Sequence, residues 1–554
     1  MTGLATAGAA AGAGAVTSAS ARGRGRPARP RPKPFVLAEA TVADIRRAYA
    51  TGRLTCVELT EAYLARMAAY EESGIRLNSM TTINPDALRL AARLDRERSH
   101  GGARDPLHGI PVVLKDNVDT VDMATSNGSV ILRDAYPNDD AFLTRRLRRR
   151  GALILGKASM GEFAGGSYNT VDSQVTNPYH LKRGTGGSSA GSGAATAANL
   201  TVLAVGTDTS TSVRGPASYC GIVGLRPTTG LISRDGIAPK NLTFDTAGPM
   251  ARTVTDVALL FNALAAEDPA DPLSVETYRN YPGRDRRRAA DGRLDHTRHL
   301  RRGALRGARL GVMRDFFGGD PEIDALAERA LDTLRSLGAE LVDVTLDPGF
   351  VDYYLVNGGT NIRRIADYRF RAEWEQYLTT LGPDVPTTVE DFVRIYETEV
   401  NESPLPVEAS VLDLLTRSLS TSADMPAFVD LMENVLPEAT RLKLAVFDDN
   451  RLDAMVFPYT SSFASPISNP AFSVEDPTFV PSDRPQSATL AGYSSVGFPG
   501  IVVPMGFGSQ GLPMTISFLG RPYSDGELLG YAYDYEQETG LRAPSSLTPP
   551  LDGE

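Results

Sequence analysis

Two segments rich in glycine and serine constrain this chain more than any other feature. They are Gly186-Gly187-Ser188-Ser189-Ala190-Gly191 and Gly206-Thr207-Asp208-Thr209-Ser210-Thr211-Ser212-Val213-Arg214, with room for one helix and one strand between them. Glycine lets a backbone approach a ligand closely, and successive N–H groups in such loops can converge on an anion. A serine closing such a run can be a nucleophile and lie beside its own oxyanion donors.

The flanking stretches show what carries these loops. An apolar run over 109–114 ends in Lys115, and 152–155 and 201–205 read as further buried strands. Helices alternate with them. Thr41 can cap one that runs through Ala50, and Thr55 with Glu58 makes a capping box for the next, whose Leu59, Tyr63 and Met67 share a face. Residues 139–150 form a helix with a basic face (Arg145, Arg146, Arg148, Arg149, Arg150), and an alanine-rich helix follows the first loop. This alternation predicts an α/β fold with a sheet buried on both faces. A polar, arginine-rich excursion over 265–305 precedes a second β-α-β pattern at 309–313, 323–337 and 340–344. Residues 350–450 read as mainly helical, after which strands resume at 453–457, 500–504 and 514–519 and a helix closes at 525–539. One sheet built from both ends of the chain, with a helical insert between, is the simplest arrangement.

Composition removes several function classes. With 42% of 554 residues hydrophobic, the core needs no staples, and Cys56 and Cys220 form no metal-ligand pattern and read as buried thiols. A net charge of −10 without a sustained basic stripe argues against nucleic-acid binding. No apolar run approaches the ~20 residues of a membrane span. Residues 4–21 are small and apolar, ending Ala19-Ser20-Ala21. They fit either a secretory leader whose charged part is missing or a low-complexity tail. Residues 22–34 alternate Arg or Lys with Gly and Pro and read as a solvated linker, so the folded part is expected over 36–545.

A serine nucleophile needs a base. The five histidines (His100, His108, His180, His296, His299) lie in no setting that marks a catalytic imidazole. Lys115 ends an apolar strand, where desolvation would lower its pKa into a useful range. Taken alone, a strand-end lysine reads as a surface charge.

Together these pieces resemble the amidase signature family. The resemblance spans about Val36 to Leu541 and is densest from Leu107 to Asp256. It rests on Pro106-Leu107-His108-Gly109-Ile110-Pro111 with Lys115-Asp116, on both serine loops, and on Cys220-Gly221-Ile222-Val223-Gly224-Leu225-Arg226-Pro227-Thr228. Gly497-Phe498-Pro499-Gly500, Val503-Pro504 and Gly520-Arg521-Pro522 support it, and so does the spacing of 24 between Ser188 and Ser212. The resemblance implies a central mixed, twisted sheet covered by helices on both faces. It also implies an amide hydrolase in which Ser212 attacks, Ser188 on a cis peptide bond relays protons, and Lys115 is the base. The N–H groups of Thr209, Ser210, Thr211 and Ser212 would bind the oxyanion, Asp208 and Arg214 would brace that loop as an ion pair, and Ser189 would support it. No metal and no organic cofactor is implied.

Two departures from the common pattern stand out. Ser210-Thr211 replace a frequent Gly-Gly, which would strain Thr211 if the loop used positive φ. Ala190 replaces another frequent glycine. Gly187-Ser188-Ser189-Ala190-Gly191 also fits a nucleophile elbow centred on Ser189, but no buried strand precedes it. Gly151 to Lys157 is a near-miss phosphate loop that reads as a strand. The run 145–150 reads as a solvated helix face. The stretches 230–234 and 245–250 look like the peptide-amidase branch, which removes C-terminal carboxamides. The alternatives are the catalytic subunit of a glutamine-dependent tRNA amidotransferase and an inactive binding-only descendant. A small-molecule or peptide amide is the expected partner, in a pocket lined by the 350–450 insert and the loop over 163–172. Oligomeric state is not legible.

Overall fold

In the computed structural model the described residues are 35–283, 285–346, 348, 362–482 and 497–551, side chains of 72 and 363 excepted. The readings made for 1–34 lie outside them. Residues Phe35–Glu554 form one compact unit.

The two opening helices follow their caps. Thr41 accepts a hydrogen bond from the Asp44 N–H at the start of α1 (Val42–Ala50). Thr55 and Glu58 complete a capping box on α2 (Cys56–Met67), whose Leu59, Tyr63 and Met67 are buried.

Eleven strands make the main sheet: β1 (Met80–Ile83), β2 (Pro111–Lys115), β3 (Leu153–Ala158), β4 (Leu203–Asp208), β5 (Val223–Arg226), β6 (Thr246–Ala251), β7 (Arg309–Met313), β8 (Glu340–Val344), β9 (Ala454–Pro458), β10 (Gly500–Phe507) and β11 (Pro513–Leu519). Their order is β1-β3-β2-β4-β6-β5-β10-β11-β9-β7-β8. β2 runs parallel to β3 and β4, and β7 runs parallel to β8 and β9. The centre is antiparallel, so the sheet is mixed. Every residue of β2, β3 and β4 is buried. Because successive side chains point to opposite faces, this means both faces are covered. The alanine-rich helix α3 (Ala190–Ala197) packs on β2, β3, β4 and β6.

The arginine run differs from its sequence reading. Arg145 meets Asp139 and Asp235, Arg148 meets Asp122 and Asp140, and Arg150 meets Asp105. Arg146 donates to the Ala263 and Ala265 carbonyls. Carboxylates both near (Asp139, Asp140) and distant (Asp105, Asp122, Asp235) pair three arginines of this half-exposed face, while Arg149 stays exposed. Cys56 and Cys220 are buried free thiols.

Residues 362–450 are mainly helical (350–361 lie outside the described residues), and α4 (Ile365–Leu378), α5 (Val389–Ile395) and α6 (Ala409–Leu419) build a second core. Trp374, the chain's single tryptophan, is fully buried there among Phe163, Phe370, Tyr377 and Phe392. Among the described residues no helix is long and apolar enough to cross a membrane.

Candidate active site

β2 delivers Lys115 between its neighbours β3 and β4, where its side chain is fully buried. Its Nζ donates to Ser188 Oγ at 2.7 Å and to Thr207 Oγ1 at 2.8 Å. Asn117 Nδ2 also donates to Thr207 Oγ1, at 3.1 Å. Burial pulls the Lys115 ammonium down to about 7; Lys240 adds to this, and the Asp208 and Asp245 carboxylates oppose it.

Ser188 sits between β3 and α3, and the Gly187–Ser188 peptide is cis. A Cβ on Gly187 would lie 1.6 Å from the Gly166 carbonyl oxygen, so no side chain fits there. Ser189 joins this loop to the other. Its N–H donates to the Ser212 carbonyl at 3.2 Å, and its hydroxyl exchanges hydrogen bonds with the Thr207 backbone at 3.1 Å. That hydroxyl is committed to the strand, and the nucleophile-elbow role for it fails here.

Ser212 lies between β4 and the short helix Arg214–Tyr219, 7% exposed. Its hydroxyl makes no hydrogen bond to a described residue. No described residue accepts from the N–H groups of Ser210, Thr211 or Ser212, whereas the Val213 N–H is taken by Asp208 at 3.1 Å. Neither Ser210 nor Thr211 has a positive φ. The strain that Thr211 would carry in place of glycine therefore does not arise. Thr209 donates its hydroxyl to Asp245 at 2.5 Å.

Asp208 is buried and shared by two guanidiniums, Arg214 at 3.3 Å and Arg226 at 3.1 Å. Burial alone would raise its carboxyl; the two arginines outweigh that and hold it below its ordinary range. Arg226 also donates to the Phe244 carbonyl at 2.8 Å. Arg214 donates to the Ser210 carbonyl at 2.6 Å and lies over the Tyr459 ring. The structure thus gathers Lys115, Ser188, Ser189, Asp208, Thr209, Ser210, Thr211, Ser212 and Arg214 into one site. Sequence reasoning assigned no role to Asn117, Thr207, Arg226, Lys240 or Asp245. Arg226 and Asp245 stood inside quoted motifs, but nothing local tied them to Asp208 or Thr209. Among the described residues no group of three or more His, Cys, Asp or Glu could hold a metal ion.

A mixed sheet covered by helices, gathering these loops at the C-terminal ends of the adjoining interior strands β2 and β4, places the chain among hydrolases acting on the C–N bond of linear amides. The chain belongs to the amidase family: that family's model, described as Amidase, matches residues 58–529. The chain is 35% identical to the native peptide amidase from Stenotrophomonas maltophilia, with a TM-score of 0.80 over 93% of this chain and 100% of that one. An amidase family protein from Bacillus anthracis str. Ames is 30% identical, with a TM-score of 0.78 over 92% and 93% of the two chains. Among curated proteins, a glutamyl-tRNA(Gln) amidotransferase subunit from Chloroflexus aggregans is 34% identical over 518 residues, 90% of this chain and 96% of that protein.

Proposed function

We propose that the chain hydrolyses a carboxamide through an acyl-enzyme on Ser212, with a C-terminal peptide amide as the substrate class. The observation that carries this reading is the buried Lys115 with Nζ 2.7 Å from Ser188 Oγ. With its pKa near 7, a useful fraction of Lys115 is neutral at neutral pH. Neutral Lys115 takes the Ser188 proton as Ser188 takes that of Ser212, and Ser212 Oγ attacks the carbonyl carbon. The N–H groups of the 209–212 loop receive the oxyanion, which is typically worth a few kcal/mol per donor. Reversal of the relay protonates the leaving amine, and water then hydrolyses the ester. The Lys115–Ser188 contact is already formed. The Ser188 and Ser212 hydroxyls are not hydrogen-bonded to each other, and catalytic hydrogen bonds commonly tighten only with substrate.

The likeness to a peptide amidase supports the substrate class. The likeness to the amidotransferase protein favours a second reading, in which ammonia from glutamine is passed to a partner chain. Ammonia release from amidated peptides, aliphatic and aryl amides and glutamine, compared with Ser212→Ala, tests both. Release from an amidated peptide that vanishes in the variant supports the first reading. Release from glutamine alone supports the second, and release that persists in Ser212→Ala refutes the nucleophile.

A further inference from the structure

The site has two walls that are bridged, besides the Ser189–Ser212 backbone contact, by a lysine the mechanism above does not use. One wall is the loop 161–166. It is stacked on the Ser188 segment: the Gly161 N–H donates to the Ser188 carbonyl at 3.2 Å, and Gly166 presses on Gly187. Its Phe163 and Ala164 take φ of 47° and 55°, the left-handed region that side chains disfavour. Lys240 Nζ donates to the carbonyls of these same two residues, at 3.1 and 3.0 Å. The other wall is the nucleophile loop. There the Lys240 N–H donates to Asp245 Oδ2 at 2.8 Å, while Asp245 Oδ1 accepts the Thr209 hydroxyl at 2.5 Å. Between the walls lies a cavity of about 10 Å³ lined by Asn117, Ala164, Thr207, Thr209, Lys240 and Asp245. That is the room of a single water, so little slack remains.

We propose that Lys240 is a positioning residue for hydrolysis, clamping the Phe163 and Ala164 carbonyls against the Asp245–Thr209 wall so that Ser188 and the nucleophile loop keep a fixed separation around Lys115. The proposal rests on the Ser212–Ser188–Lys115 reading. The left-handed backbone at Phe163 and Ala164 is disfavoured for residues that carry a side chain and persists where its surroundings over-determine it. The Lys240 ammonium contributes to that determination beside the packed Phe163 ring and the Phe163 N–H bond to the Asn127 carbonyl. It also sets a field. Asp208, Asp245 and Lys240 are the charged groups facing Lys115, and Asp245 and Glu408 face Lys240. Arg234 lines the same cavity but is paired with Asp271. Burial lowers Lys240 to about 8, and in its charged form it helps to keep Lys115 low. Removing it moves the Lys115 titration to higher pH.

The test is the pH dependence of serine labelling by a fluorophosphonate, which needs no knowledge of the natural amide, in wild type, Lys240→Met, Lys240→Arg and Lys240→Gln. Lys240→Met is expected to label about 10²-fold more slowly, as a misplacement of reacting groups by ~1 Å allows, with its acid limb displaced to higher pH. Lys240→Arg keeps the charge and donors and is expected to regain most of the rate and the original limb. Should Lys240→Met not melt cooperatively, Lys240→Gln, which keeps a donor without the charge, must show the displaced limb. A purely structural lysine would lower the melting temperature without moving the limb. A Lys240→Met or Lys240→Gln limb at the wild-type position, or Lys240→Arg no better than Lys240→Met, overturns the proposal. Labelling that persists in Ser212→Ala instead refutes the underlying reading.

Discussion

The two walls of the site are held by different physics. The nucleophile wall hangs on strands. Asp208 ends β4, Arg226 ends β5 and Asp245 precedes β6, and the antiparallel pairing of Thr246 with Asp208 sets them side by side. Its cement is a fully buried carboxylate between two guanidiniums. The opposite wall, the 161–166 loop, hangs on an aromatic cluster. Phe163 touches Trp374, Phe392, Phe370 and Tyr396, with ring centroids 4.8, 5.9, 6.0 and 6.4 Å away. Beside it, buried Glu162 is pushed up to about 8 by desolvation and accepts hydrogen bonds from Tyr396 and Thr170. Ionic geometry fixes atoms and tolerates no substitution. Aromatic packing fixes shape and can be retuned.

That contrast can be broken at four points. The largest effect is expected at Lys115. Lys115→Ala should lower kcat by about 10³-fold or more, measured as ammonia release. In the wild type kcat/KM should fall as pH drops below about 7, because burial lowers this pKa and only the neutral amine accepts a proton. Next is Asp208→Asn, which leaves Arg214 and Arg226 buried without their counter-charge. It should cost about 3–5 kcal/mol in denaturant unfolding. Phe163→Leu, on the other wall, should cost only about 1–2 kcal/mol. It should change KM more than kcat, and the emission of the single Trp374 should report the loosening. The smallest effect is expected for Ser210→Gly with Thr211→Gly. Both residues already have negative φ, so the pair should alter kcat less than tenfold. A loss of kcat comparable to that of Lys115→Ala would show that the side chains, and not only the backbone, build the nucleophile loop.

Much of the architecture was legible in local pattern. β7, β8 and the closing helix Asp525–Thr539 fall where apolar periodicity and capping residues put them. Lys115 stood out as the end of an apolar strand, and both serines stood out by their glycine-rich setting. β5 and β6 were not read as strands: they are short, contain glycine, and their burial on both faces erases the alternation that marks a strand. The arginine run was read as solvated because its carboxylate partners, such as Asp235 and Asp105, lie up to 90 residues away.

The sequence by itself determined the elements, their caps, the two serine loops and the candidate base, because each depends on residues within a few positions of one another. Only the tertiary structure decided what surrounds them. Whether Lys115 is a surface charge or a buried amine depends on the strands to either side of it. Which carboxylate meets Arg226, and which carbonyls Lys240 holds, depends on sheet order and register. Those are properties of pairings between distant segments, and desolvation and Coulomb energy act on distance in space, which spacing along a chain does not contain.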